Sequence, residues 1–253
     1  MDALDQLADR ADRSGLFLDF DGTLSEIATT PEAAVAAPGT ADLLVRLAGR
    51  YRLVAVVSGR RVEEVAEKLG EPPGVRLFGL YGLEGGDLSS GRGNESGTHA
   101  VEEILPRVLE VAAGIPGSLV EPKGSNVAVH YRLAPDPDEA RAALLDALGS
   151  LAGAVGMRLV EGKRVVELVP AAAPTKGDVV AREARGLEGI LFVGDDLADI
   201  DAFAAVDALT AAGAYGLKVA VRSEETPYEL LRAADLVVEG PSGLLELLSR
   251  LAD

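Results

Sequence analysis

The chain contains no cysteine, which excludes a disulfide framework and any phosphatase chemistry built on a thiolate. His99 and His130 are the only histidines in 253 residues, too few for a histidine-rich two-metal site or for phosphohistidine chemistry. Basic residues are also in short supply. Lys and Arg number 24 against 41 Asp and Glu, a net charge of −17. That balance argues against nucleic acid and anionic membranes as partners, and it repels anionic ligands unless a metal or a locally placed Lys or Arg receives them. No apolar run approaches the ~20 residues of a membrane span. The first ten residues are acidic and amphipathic rather than basic then apolar, so no signal peptide is expected. A cytoplasmic monomer acting on a small molecule is the expectation.

What is present is ordinary for a folded domain: 48% apolar and 26% charged residues, with length enough for one large domain or two small ones. The stretch Leu16-Phe17-Leu18-Asp19-Phe20-Asp21-Gly22-Thr23-Leu24 organises the rest. It begins as a buried parallel strand and ends in two carboxylates one residue apart, followed by glycine. Buried carboxylates this close repel each other unless a cation joins them, and a hard divalent ion is the simplest partner. An oxygen-only ligand set suits magnesium, which keeps several waters and completes its shell from a phosphorylated substrate. One aspartate is then free to attack phosphorus. Gly22 allows a sharp turn, and Thr23 offers a hydroxyl and an amide to a phosphate. The plainer alternative is a pair of aspartates capping a turn after an ordinary strand.

Hydrophobic periodicity predicts helices over 2–13 and 39–49 and strands over 53–57 and 75–80, with a helix between them carrying Val62, Val65, Ala66 and Leu69 on one face. The strand at 53–57 stops at Ser58-Gly59-Arg60, where Ser58 suits either a phosphate at a helix N-terminus or a helix cap. Residues 82–97 are rich in Gly and Ser, with a hairpin predicted over 83–88, and mark a domain boundary. Beyond it the expected order is helix (98–113), strands (118–122, 125–132), helix (136–152) and strands (156–161, 164–169). That order describes an antiparallel α+β unit. The linker Pro170 to Pro174 leads back to a helix over 178–184, with Lys176 at its start, and to a strand over 189–193. That strand again ends in acid, at Gly194-Asp195-Asp196, with Asp199 close behind. Two apolar strands ending in aspartates fit the carboxyl edge of one parallel sheet. A cation at a helix start opposes the macrodipole, so Lys176 is expected to have another partner, a solvated lysine being the alternative. Alternating helix and strand, then a helix over 241–252, complete the chain.

Asp19-Phe20-Asp21-Gly22-Thr23, Ser58, Lys176 and Gly194-Asp195-Asp196 occur in the order of the four motifs of the haloacid dehalogenase superfamily, which the chain resembles over nearly its whole length. The resemblance implies an α/β, Rossmann-like core (1–84 and 171–253) with helices on both faces of a parallel sheet, and an inserted α+β cap (85–170) that closes over it. It implies Asp19 as nucleophile and Asp21 as general acid and base. It implies magnesium on Asp19, Asp21, Asp195, Asp196 and Asp199, with Asp21 contributing its carbonyl. It implies phosphate on Thr23, Ser58, Gly59 and Lys176. Within the insert, Glu121-Pro122-Lys123-Gly124-Ser125, His130-Tyr131-Arg132, and Gly162-Lys163 with Glu167 resemble the sugar-recognition signature of trehalose-6-phosphate phosphatases, as do the Tyr81-Gly82-Leu83-Glu84 and Pro31 regions. Glu121, Lys123, His130, Arg132, Lys163 and Glu167 are the implied substrate residues, with Glu121 and Lys123, His130 and Arg132, and Lys163 and Glu167 each expected to share a strand face. Surface ion pairs are the plainer reading of these charges. The family pattern often has histidine where Tyr81 stands and tyrosine where Phe20 stands, departures that bear on sugar preference rather than on core chemistry. The implied activity is magnesium-dependent hydrolysis of trehalose 6-phosphate. Another sugar or glycosyl phosphate, or a catalytically silent sensor of sugar phosphates, would fit the same core.

Overall fold

Alternation along three central strands builds the core of the molecule. A computed structural model describes residues 2–85 and 95–253, which divide into two units: 2–85 with 174–253, and 95–173. The first unit contains α1 (Ala3–Ala8), β1 (Ser14–Leu18), α2 (Thr40–Arg50), β2 (Leu53–Val57), α3 (Val62–Leu69), β3 (Val75–Gly79) and β4 (Glu84–Gly85). The second contains α4 (Glu95–Ala113), β5 (Leu119–Pro122), β6 (Val127–His130), α5 (Pro137–Ala154), β7 (Met157–Gly162) and β8 (Val165–Pro170). The first resumes with α6 (Lys176–Glu183), β9 (Gly189–Gly194), α7 (Ile200–Ala211), β10 (Tyr215–Arg222), α8 (Tyr228–Ala233), β11 (Leu236–Glu239) and α9 (Gly240–Ala252).

Among the described residues the first unit forms one sheet of order β11-β10-β9-β1-β2-β3-β4, parallel except for β4, which runs antiparallel to β3. Both faces are covered, as an all-parallel sheet requires. Leu16, Leu18, Val54, Val56, Leu191 and Val193 face one apolar layer with Leu43, Leu44 and Leu47 of α2 and Leu244 and Leu248 of α9. Phe17, Ala55, Val57, Ile190 and Phe192 face the other, with Val179 and Val180 of α6 and Phe203 of α7. Because β1 lies between β9 and β2, with Leu18 level with Val193 and Val56, three strands deliver their carboxyl ends side by side.

The second unit is a four-stranded antiparallel sheet of order β5-β6-β8-β7. Val127, Val129, Val166 and Leu168 pack with Val108 of α4 and with Leu144 and Leu148 of α5. Alternation therefore turns Glu121, Ala128 and Glu167, which sit in register, to the opposite face. Residues 171–173 stay with this unit, since the Ala171 amide donates to the Gly156 carbonyl at 2.9 Å and the Arg158 guanidinium to the Ala173 carbonyl at 3.3 Å.

Some local expectations change. The helix expected over 2–13 stops at Ala8, and a separate turn of 3-10 helix covers Ala11–Arg13. There the Arg10 amide tightens onto the Leu7 carbonyl, and the Ser14 hydroxyl holds the Arg10 carbonyl at 2.8 Å as β1 begins. The helix expected from 98 starts at Glu95. Of the hairpin expected over 83–88, Leu83 ends a turn of 3-10 helix over Leu80–Gly82, Glu84 and Gly85 pair with Gly79 and Phe78, and 86–88 lie outside the described residues, as does most of the 82–97 boundary. Among the described residues no helix is long and apolar enough to cross a membrane.

Candidate active site

Beyond β1 the chain folds into a tight loop in which the amides of Thr23, Leu24 and Ser25 all donate to the Phe20 carbonyl. Gly22 takes φ 77°, the left-handed turn that a side chain would resist. Asp19, bonded through its amide to the Val193 carbonyl at 2.9 Å, is 4% exposed. Across the sheet, β9 delivers Asp195 and Asp199, both fully buried. A Cβ on Gly194 would run into the Asp199 carboxylate, so only glycine lets that side chain fold back, where its Oδ2 accepts from the amides of Asp195 (2.9 Å) and Asp196 (3.0 Å).

Lys176, the first residue of α6, closes the cluster. Its ammonium donates to Asp19 Oδ1 at 2.6 Å and to Asp199 Oδ1 at 2.7 Å, so the partner its position called for is a pair of carboxylates. The helix is started instead by the Thr175 and Asp178 capping box. Asp19, Asp195 and Asp199 each offer an oxygen within 4.8 Å of the others, a donor set able to hold a cation. Lys176 is bonded to two of the three. Burial pushes the Asp19 carboxyl up to about 7, against the pull of Lys176 and with the help of Asp199 and Asp21. Burial also works against the Lys176 charge, but Asp19 and Asp199 outweigh it and hold the ammonium above the ordinary lysine range.

Asp21 stands apart from this triad. Its two oxygens are gripped by Arg60, Nε to Oδ2 and Nη2 to Oδ1, both at 2.7 Å. Arg60 was not singled out by the sequence reading, although it follows directly on the Ser58-Gly59 pair. Ser58 is buried and its hydroxyl accepts from the Arg60 amide at 3.1 Å. It does not cap α3, whose first amide, on Val62, donates to Glu84 Oε2 at 2.9 Å. Both Thr23 donors expected for phosphate are engaged, the amide with Phe20 and the hydroxyl with Asp195 Oδ1 at 3.3 Å. Asp196 caps the turn that follows it, accepting from the Leu197 amide at 2.7 Å.

On the second unit, Glu121, Lys123, His130 and Glu167 gather on the sheet face away from α4 and α5. Glu121 Oε2 lies 2.7 Å from His130 Nε2 and 3.6 Å from the Lys123 ammonium, which is 3.7 Å from Glu167 Oε1. Asn126, not anticipated, is fully buried and donates to Glu167 Oε1 at 3.3 Å. Arg132 and Lys163 lie beyond the strands. Lys163 sits in the turn joining β7 to β8, so the four-residue spacing from Glu167 does not place the two on one strand face, and the Arg132 guanidinium meets the Lys163 carbonyl at 3.2 Å.

The family model for trehalose-phosphatase matches residues 17–231. The chain belongs to the trehalose-phosphatase family. This family member is 34% identical to the trehalose-phosphate phosphatase of Mycobacterium avium, over 94% of its own length and 62% of that protein's. It is 35% identical to an uncharacterised glycosyl hydrolase of Mycobacterium tuberculosis, over 95% of its own length but 18% of the other's. The chain thus spans less than two thirds of these curated relatives. Its fold is that of the C-terminal domain of the Candida albicans trehalose-6-phosphate phosphatase, with a TM-score of 0.82 at 24% identity, covering 98% of this chain and 96% of that one.

Proposed function

We propose that the chain hydrolyses trehalose 6-phosphate to trehalose and phosphate through an aspartyl phosphate on Asp19. The observation that carries this reading is a buried carboxylate fixed by Lys176 at 2.6 Å, with a second carboxylate two residues on and more exposed. Lys176 takes one oxygen of Asp19 and leaves the other to attack. As that oxygen bonds to phosphorus, the bond from phosphorus to the sugar oxygen breaks and Asp21 supplies the proton that the sugar oxygen needs. Asp21 then takes a proton from water as the water oxygen bonds to phosphorus, phosphate leaves, and the Asp19 carboxylate is restored. Ser58 and Lys176 receive the phosphoryl oxygens.

The three buried carboxylates, two of them bonded to Lys176, fit a magnesium ion, which Asp19, Asp195, Asp199 and the Asp21 carbonyl would hold. When bound, it supplies positive charge that lets Asp19 stay ionised and draws in a phosphate that the acidic chain otherwise repels. Asp196 lies outside that buried triad and is not assigned to the ion. Recognition of the sugar is assigned to Glu121, Lys123, His130 and Glu167, with Asn126 orienting Glu167. The relatives named for trehalose phosphate support the choice of substrate.

Phosphate release from a panel of sugar phosphates, with magnesium and with a chelator, tests the proposal. Magnesium-dependent preference for trehalose 6-phosphate, abolished in Asp19→Asn, is expected. A preference for a different sugar would discard the substrate, and no release from any member would discard the activity.

A further inference from the structure

We propose that Arg60 is the positioning residue for Asp21, and that its fork decides how well the site handles a poor leaving group. The inference rests on the phosphatase reading above, in which Asp21 delivers the proton to the departing sugar oxygen. The Arg60 side chain is 9% exposed and that of Asp21 is 44% exposed, so a sunken guanidinium holds an accessible carboxylate from behind. Two parallel bonds of 2.7 Å fix the carboxylate in one plane. Each oxygen keeps a second lone pair for the transferred proton.

Arg60 is itself held from several sides. Its amide donates to Ser58 Oγ at 3.1 Å, its Nη1 lies 3.7 Å from Glu64 one turn along, and its guanidinium carbon lies 5.7 Å from the centre of the Phe20 ring. Its carbonyl accepts from the Leu80 amide at 2.8 Å, and the Ser58 carbonyl accepts from the Tyr81 amide at 2.9 Å. Leu80 and Tyr81 have φ of 48° and 61°, left-handed values that strain a non-glycine backbone. The strained pair therefore supplies the two bonds that pin the 58–60 loop and, with it, the root of the Arg60 side chain. A lysine there would keep a charge but lose the planar fork.

A sugar alkoxide needs a proton to leave, whereas p-nitrophenolate departs without one. Arg60→Gln should lower the single-turnover rate of trehalose release from trehalose 6-phosphate by about 100-fold, the lower range of general acid catalysis, with substrate affinity moving less than ~3-fold. On p-nitrophenyl phosphate the loss in the first-turnover burst of p-nitrophenolate, which precedes the water step that also uses Asp21, should stay below about 5-fold. Arg60→Lys, which keeps the charge and buried stem, should show the same split and guards against a folding defect in the first variant. Equal losses on both substrates, or wild-type behaviour of Arg60→Lys, would overturn the assignment. Asp21→Asn run in parallel separates the two readings. A split there without one in the Arg60 variants sinks only the role of Arg60, and no split in Asp21→Asn removes the proton donor on which it rests.

Discussion

Lys176 is the residue on which the cluster's charge turns. Lys176→Met would leave Asp19 and Asp199 buried without their cation, and a loss of about 3–5 kcal/mol is expected in metal-free denaturant unfolding. Saturating magnesium should restore part of it. Asp19 adds a pH dependence whose sign follows from its carboxyl being raised from 3.8 to about 7 in the folded chain. Between those values the folded state keeps a proton that the unfolded chain releases. The contribution is therefore complete below 3.8 and lost as pH rises through about 7. In chelator, melting temperature measured relative to Asp19→Asn should fall from pH 5 to pH 8, and the rise on adding magnesium should grow over the same interval. A gain independent of pH would contradict this. Asp19, Lys176 and Asp195 were legible in sequence because each sits where an apolar strand or a helix start gives its charge no local use. Arg60 was not, because Arg61 beside it carries the same charge and nothing local tells which of the two turns inward. The carboxylate partner of Arg60 lies 39 residues earlier, in the loop after β1, and the adjacency of β1 and β2 brings the two loops together.

Elements carry these residues as units. Helix α6 presents Lys176 from its first position, which the Thr175 cap holds in place through the Asp178 amide at 3.2 Å. Thr175→Ala should cost about 1 kcal/mol in stability. It should also lower kcat several-fold by loosening the ammonium, whereas a cap of equal worth on α5, removed by Asp136→Ala, should lower stability alone. Strand positions and most helices could be read from periodicity, since β1, β2 and β9 are unbroken apolar runs and α2 and α3 repeat at helical spacing. Of the expected sharing of strand faces by the second unit's charges, that of Glu121 and Lys123 agrees with their approach to 3.6 Å, although Lys123 follows the last residue of β5. Arg132 lies past the end of β6 and Lys163 occupies a turn, so tertiary contacts rather than pleat decide where their side chains go.

For the whole molecule, the net charge of −17 opposes an anionic substrate. Raising ionic strength from about 0.01 M to about 0.15 M shortens the screening length from ~30 Å to ~8 Å, so kcat/KM for a sugar phosphate should rise over that range at fixed free magnesium. A fall would show that local cations around the site outweigh the overall field. The alternation of strand and helix with acidic strand ends made the parallel sheet legible, and the change of texture after residue 82 marked a second unit. The order of strands across the sheet was beyond a single chain's periodicity. The short strand β4 has a consequence for the molecule in company. Two residues, Glu84 and Gly85, run backwards along the outer edge of β3 and pair with Gly79 and Phe78, and a Cβ on Gly85 would collide with the Leu77 carbonyl. A terminus of parallel sheet that would otherwise template a neighbouring molecule is thereby blunted by the chain's own backbone. Gly85→Val should accordingly reveal itself in light scattering, as concentration-dependent aggregation on warming that sets in below the unfolding temperature.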